Sequence, residues 1–437
     1  MKSAHWAYSL LTVLWISACT PAEMTTPPEY PVKDKTVIVY MAADNNLASN
    51  AVDNLEELKQ GFLPSSDNLV VYYHIPDSNP KLLRLYRDEA GAAAVDTLYR
   101  FPDYNSALPS SLNSALKVAA TLCPAQEYGL ILWSHATGWL PQGYYSSGEI
   151  TSFSAPVREK SASLPDGMSG APGTENDFVG MRYIDDPYAD LIKMSLGRGA
   201  VSRSFASEDG REMDVVEMVK ALPYRFSFII FDACLMGGIE VAYQLKDSTD
   251  YILFSPTESL VKGFPYSRIM EPLFRTPADV REVGSLYYDY YNNQGGESRA
   301  ATISLVKTSE LENVAAVAAK IFGRYREKIA LLNMDAIQRY FRFNLHWFYD
   351  LEDFIGQLAD SRDAAEFSAA LQKAVIYKAA TPYFLSIPIV RFSGISTYIP
   401  NPANEVLDNY YRQYEWNKAT GMIAEPAEGD SGNEPAE

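Results

Sequence analysis

Two side chains stand where this 437-residue sequence could do chemistry. His135 follows the apolar run 129–134 (GLILWS), and Cys234 follows 226–232 (FSFIIFD) and Ala233. A neutral imidazole within reach of a thiol takes or shares its proton, and the resulting thiolate is a nucleophile able to attack a carbonyl. Both apolar runs read as buried strands, and reactive groups in open α/β sheets gather beyond the carboxyl ends of strands. Taken singly, each residue is commonplace: a free Cys after an apolar strand is more often an inert core residue, and a His at a strand end is more often structural. Their surroundings are not commonplace, because WSHATGW (133–139) and DACLMGGIEVAYQLK (232–246) are specific strings.

Other strands and helices must position these ends. Residues 36–42 (TVIVYMA) form a continuous apolar run. The cluster Asp44-Asn45-Asn46 then caps a helical pattern through Leu47, Val52, Leu55 and Leu58. A second buried strand is expected at 69–75, extended pieces at 82–86 and 95–99, and a helix at 110–122. From 140 to 212 the chain is dense in Gly, Ser, Pro and Asp and too long for an ordinary connection. Order returns with a helix at 213–222, FSFIIFD, a helix at 238–245 and a strand at 251–255. Such alternation implies an α/β fold with a mostly parallel sheet covered on both faces. Residues 277–371 read as mainly helical around one strand at 300–306, and 394–399 (GISTYI) is a late extended piece able to return to the sheet edge.

The strings resemble the clostripain family of cysteine peptidases, relatives of caspases and gingipains. In that family a strand ends in Ser-His-Gly followed by Gly-Trp, and a later one ends in Asp-Ala-Cys-Leu-Met. YMAADNNL (40–47), Ser255, Glu258 and Gly263-Phe264-Pro265-Tyr266 extend the likeness over roughly residues 36–270 and, faintly, GISTYIP. The resemblance implies a caspase-like three-layer α/β/α sandwich with a largely helical C-terminal extension, and peptide or protein substrates. It makes His135 the general base and Cys234 the nucleophile, a dyad with no required third member. The backbone N–H groups of Ala136 and Cys234 would form the oxyanion hole. Asp232 would line the S1 pocket and select Arg or Lys at P1, with Glu258 and Lys262 beside the substrate; the other reading of Asp232 is a cap on the following turn.

Three departures bear on that picture. Ala136 stands where the family usually has Gly, which is tolerable only if its φ is negative. Lys262 stands where the family carries an acidic residue; projecting into S1 it would neutralise Asp232, and pointing to solvent it would not. The interval between His135 and Cys234 is long, and the family often activates by self-cleavage there, so Arg158, Lys160, Arg198, Arg203 and Arg211 are candidate cut sites. No cofactor is expected. Calcium is a minor possibility at Asp44-Asn45-Asn46 or Asp185-Asp186, neither of which has EF-hand spacing, and four scattered histidines argue against zinc.

Acidic residues outnumber basic ones by 55 to 37, giving a net charge of -18, which disfavours nucleic acid as a partner. Three cysteines, Cys19, Cys123 and Cys234, make no disulfide framework. Lys2, the apolar stretch 7–16 and the small residues Ser17 and Ala18 read as a signal peptide. Ile16-Ser17-Ala18-Cys19 resembles the lipobox of bacterial lipoproteins, which implies acylation at Cys19 and a lipid anchor; the plainer reading is a signal peptide that happens to precede a Cys. The expected organisation is therefore a signal peptide (1–18), a Pro/Thr-rich tether (19–35), a peptidase core (36–275, with the insert 140–212), a mainly helical extension (276–423) and a disordered acidic tail (424–437). A monomer in the cell envelope is expected, on the outer rather than the inner membrane because Thr20 does not look like an inner-membrane retention signal. The rival from another class is a catalytically impaired surface lipoprotein that binds proteins or peptides; a transpeptidase would use the same residues.

Overall fold

The computed structural model describes residues 31–63, 65–141, 205–208, 211–342, 347–401 and 403–424. Cys19, Arg158, Lys160, Asp185, Asp186, Arg198 and Arg203, like most of the 140–212 insert and of the acidic tail, lie outside them.

The chain begins with β1 (Lys33–Ala42), α1 (Ala48–Gly61), β2 (Asn68–His74), the hairpin β3 (Lys81–Arg87) and β4 (Ala93–Arg100), α2 (Pro109–Leu122) and β5 (Ala125–Trp133). The insert ends in the short ribbon β6 (Ser207–Glu208) and β7 (Arg211–Glu212), and after it come α3 (Val215–Ala221), β8 (Phe226–Asp232), α4 (Ile239–Gln244), β9 (Thr249–Phe254), α5 (Tyr266–Leu273) and α6 (Val280–Asn292). The last third holds β10 (Thr302–Lys307), α7 (Leu311–Tyr325), β11 (Tyr349–Asp350), α8 (Leu351–Leu358), α9 (Ser361–Ala374), β12 (Val375–Ala380), β13 (Tyr383–Phe384), β14 (Ile387–Pro388), β15 (Ser396–Thr397), α10 (Glu405–Tyr411) and α11 (Glu415–Thr420).

Nine strands form one sheet in the order β12-β10-β9-β8-β5-β1-β2-β3-β4. From β9 through β2 neighbours run parallel, while β3 and β4 close one edge and β10 and β12 the other in antiparallel fashion. The apolar runs of β1, β5 and β8 are buried along their C-terminal halves because helices cover both faces. One helical layer contains α1, α5 and α6, the other α2, α3 and α4. This is the expected three-layer α/β/α sandwich, with the apolar central strands covered by helices on both faces.

Several local expectations need correction. Asp44 does not cap α1: the N-cap position is Leu47, and it is the Asn45 Oδ1 that accepts the Leu47 N–H at 2.9 Å, leaving Asp44 to face His74. The helix expected at 213–222 starts later, because the Asp214 carboxylate takes the Val216 N–H at 2.7 Å and that of Glu217 at 3.4 Å. The sheet edge is β12, which follows α9 directly, and not GISTYI. Within GISTYI, β15 pairs instead with β11, and the Ser396 N–H donates to Gly237 O at 2.8 Å, three residues after Cys234. The late segment therefore braces the loop after β8.

Glu240 completes that brace. Fully buried on α4, its Oε1 accepts from Thr397 Oγ1 (2.9 Å), Tyr398 N (2.9 Å) and Tyr411 OH (2.6 Å), while Oε2 has no hydrogen-bond partner among the described residues. Burial raises its carboxyl above the ordinary range, against the pull of those donors. Because the folded value lies above the unfolded one, the stabilisation is complete below about pH 4 and is lost as pH rises through the folded value. Glu240→Gln, which resembles the protonated acid, should therefore gain in melting temperature relative to the parent as pH is raised from about 4 to about 8. A difference that does not change with pH would contradict this.

Candidate active site

The parallel register of β5 and β8 sets Trp133 opposite Asp232, so His135 and Cys234 each lie two residues past a matched pair at the carboxyl end of the sheet. Both are fully buried. The loops that carry them touch: Gly138 has φ +65°, and a Cβ there would lie 2.5 Å from the carbonyl oxygen of Leu235. Leu235, directly after Cys234, is itself left-handed at φ +60°, with its N–H held by Thr257 O at 2.8 Å. A non-glycine residue in that region carries strain that only the surrounding contacts can hold.

The His135 loop is fixed from several sides. The Ser134 hydroxyl donates to Ala42 O at 2.7 Å, tying the end of β5 to that of β1. The His135 Nε2 lies 2.7 Å from Asn46 Oδ1. Near the end of the insert, Phe205 pairs with Met213 through two backbone bonds, bridges to Ala136, and is followed by Ala206, whose N–H donates to His135 O at 3.0 Å. Ala136 is not among the residues of positive φ, so Ala in place of the family's Gly carries no left-handed strain. The second Trp of WSHATGW, Trp139, sits within a cage of Phe348, Tyr398, Tyr411 and Tyr414, and its carbonyl accepts the Tyr414 hydroxyl at 2.7 Å. The C-terminal third thus braces both loops.

The Cys234 thiol is covered by the loop after β9. Its Sγ accepts the Ser259 N–H at 3.1 Å, and the Ser259 hydroxyl donates to Ala233 O at 3.1 Å. Cys123 has a different setting at the end of α2, where burial pushes its thiol up to about 11, well away from nucleophilic use.

The three expected substrate contacts have unlike surroundings. Asp232 is buried and accepts from Tyr266 OH at 2.9 Å and Phe264 N at 3.3 Å, so it does cap a turn, though that of the 263–266 segment. Gly263 makes this approach possible: at φ +64°, a Cβ there would be 2.3 Å from Asp232 Oδ2. Lys262 is exposed, its carbonyl held by Asn54 Nδ2 at 3.1 Å, and its ammonium pulls down the carboxyl of Glu57, which burial raises. Glu258 departs from its expected role, because it is fully buried and paired with Arg342, Nε to Oε2 at 2.7 Å and Nη2 to Oε1 at 3.1 Å. A cavity of about 460 Å³ beside Arg342, lined also by Gln338, Arg339, Asp353 and Arg391, includes neither His135 nor Cys234.

Sequence reasoning missed Asn46, Ser259, Phe205 and Arg342. A chain pattern shows where Asn46 falls, after a strand, but Ser259 and Arg342 reach the site only through tertiary packing. One group among the described residues has donor atoms spaced for a metal ion, Asp44, His74 and Glu208, all within 4.8 Å of one another. Its imidazole nitrogen suits a transition metal better than the calcium considered for Asp44. Glu208 is otherwise employed, taking the Ser106 N–H at 2.7 Å.

A thiol and an imidazole at adjacent carboxyl ends of one parallel sheet, inside a caspase-like sandwich, define a cysteine hydrolase. Residues 39–154 and 202–428 match the model of the clostripain family, and the chain belongs to that family of cysteine peptidases. It is similar to the X-ray structure of an inactive zymogen C11 protease from Parabacteroides distasonis, at 30% identity and a TM-score of 0.69 over 90% of this chain and 99% of that one. A secreted C11 cysteine protease from Bacteroides thetaiotaomicron in complex with an irreversible peptide inhibitor matches at 26% identity and a TM-score of 0.67, over 90% of this chain and 100% of that one. The X-ray structure of the secreted protease iotapain from the same organism shares the fold at 22% identity and a TM-score of 0.70, over 89% and 100%. No curated protein matches the chain.

The contact of Gly138 with Leu235 is the tightest test of this geometry. Gly138→Ala should lower unfolding stability by about 2 kcal/mol or more, from left-handed strain and the displaced carbonyl together. Chemical denaturation that finds Gly138→Ala within about 0.5 kcal/mol of the parent would contradict the close approach of the two loops.

Proposed function

We propose that the protein is an extracytoplasmic endopeptidase, made as a closed precursor, that cleaves peptide bonds after basic residues. The observation that carries the reading is the placement of His135 and Cys234 at neighbouring strand ends, with both side chains fully buried and the Ser259 N–H seated on the thiol. A site so covered admits no peptide until the loop after β9 or the segment at Phe205 moves. Cleavage in the insert, at Arg158, Lys160, Arg198, Arg203 or the exposed Arg211, is the proposed release.

Once open, His135 takes the thiol proton and the Cys234 thiolate attacks the scissile carbonyl. The N–H groups of Ala136 and Cys234 stabilise the oxyanion. As the tetrahedral intermediate collapses, His135 returns the proton to the leaving amine, and a thioester to Cys234 remains. Water, activated by His135, hydrolyses that thioester and restores the thiol. Asp232, held by Tyr266 OH, supplies the negative charge for Arg or Lys at P1, and Lys262 is exposed. The lipid anchor at Cys19, a monomeric state and attachment to the outer membrane of a bacterium belong to the same proposal. No metal or other cofactor takes part in these steps.

The rival reading, a peptidase-fold lipoprotein that binds peptides without cutting them, draws on the same burial of thiol and imidazole. Labelling separates the two. A peptide chloromethyl ketone with Lys at P1 should alkylate Cys234 with loss of chloride in chain cut within the insert. Cys234→Ala should abolish labelling, and His135→Ala should slow it about 10²- to 10⁴-fold. Cut chain that stays unlabelled would favour the binding protein, and equal labelling by a probe with Asp at P1 would overturn the basic preference.

A further inference from the structure

The His135 ring is held from the β1 side of β5, while Cys234 comes from β8 on the other side. Asn46, four residues past the end of β1, sets its Oδ1 2.7 Å from Nε2. An amide oxygen only accepts, so this bond requires the proton on Nε2, and the neutral ring then keeps its lone pair on Nδ1.

The segment that carries Asn46 is not free to drift. The Ala43 N–H donates to His74 O at 2.9 Å, the Asn45 Oδ1 takes the Leu47 N–H, and the Ala48 N–H donates to Asn45 O at 3.2 Å. Through Ala42 O, the Ser134 hydroxyl ties the same strand end to the residue just before His135. Asn46 and His135 are thus presented to each other by two strand ends that are themselves bonded. Asn46 packs into no core and is exposed, so little in the fold depends on its side chain.

We propose that Asn46 is a positioning residue for His135: it selects the Nε2–H tautomer, so that Nδ1 is the basic nitrogen offered to the Cys234 thiol. The inference deepens the peptidase reading and rests on it for its catalytic consequence. When His135 gains the thiol proton on Nδ1, the Nε2–H bond to Asn46 becomes charge-assisted and strengthens, which favours the thiolate–imidazolium pair. No proton passes to Asn46. Because its position is open to water, a solvent molecule can take the N–H when the side chain is removed, so the loss should be partial.

The test uses the full chain, cut within the insert, with 15N-labelled histidine. The His135 signal, assigned by comparison with His135→Gln, should show protonated Nε2 and bare Nδ1 at neutral pH. Asn46→Ala should mix the tautomers and lower kcat/KM about ten- to a hundredfold with an unchanged melting temperature. Asn46→Asp, which keeps an acceptor oxygen, should restore the Nε2–H tautomer. A wild-type ring protonated on Nδ1, or a tautomer that Asn46→Ala leaves unchanged, overturns the inference. Absent labelling of wild-type Cys234 by the ketone would instead sink the peptidase reading, while the nitrogen spectrum still decides what Asn46 does.

Discussion

One constraint governs the site: the in-register parallel pairing of β5 with β8, which brings two loops from distant parts of the chain to one rim of the sheet. Register in a doubly covered sheet is strongly set, since a slip by one residue would turn every buried side chain to the opposite face. Here such a slip would move His135 relative to Cys234 by a full residue rise and drive Gly138 away from the Leu235 carbonyl it now meets. Left-handed φ at Gly138, which glycine adopts freely, and at Leu235, where it is strained, lets both chains turn sharply at that rim. The dyad is thus a property of the sheet more than of either loop.

The rest of the chain braces and closes that rim. Trp139 in its aromatic cage, Glu240 with its three donors, and the Ser396 bond to Gly237 fasten the C-terminal third to the loops after β5 and β8. Arg342 reaches from the same region into the loop after β9, two chain positions of which matter together: Glu258 holds the guanidinium and Ser259 covers the thiol. A buried ion pair contributes little net stability when intact but is costly to break, so it fixes the loop's position more than it stabilises the fold.

The strands that build the rim were legible because their signals are local. GLILWS and FSFIIFD are continuous apolar runs ending in polar residues, and such runs are buried wherever helices cover both faces of a sheet. The hairpin of β3 and β4 was visible only as two short extended pieces. β12 was missed because it continues α9 without a break in composition, and GISTYI, which looks like a sheet strand, spends its bonds on β11 and on the Cys234 loop. Within the site, the placement of His135 and Cys234 at neighbouring strand ends could be read from their strings. The partners of His135 and Cys234 could not: Asn46 lies in the string YMAADNNL, but nothing in that string shows a bond to His135, Ser259 carries no pattern, and Glu258 looks like a substrate ligand until its guanidinium partner, 84 residues away, is in view.

The central claim is that His135 acts on the thiol of Cys234, and the pH dependence of alkylation at that sulfur tests it most directly. In chain cut within the insert, iodoacetamide modification of the Cys234 peptide, followed by mass spectrometry, should remain fast well below the ordinary thiol range of about 8.5. His135→Ala should return the profile to that of an isolated thiol. Profiles that coincide with and without His135 would show that the imidazole and the sulfur do not work together.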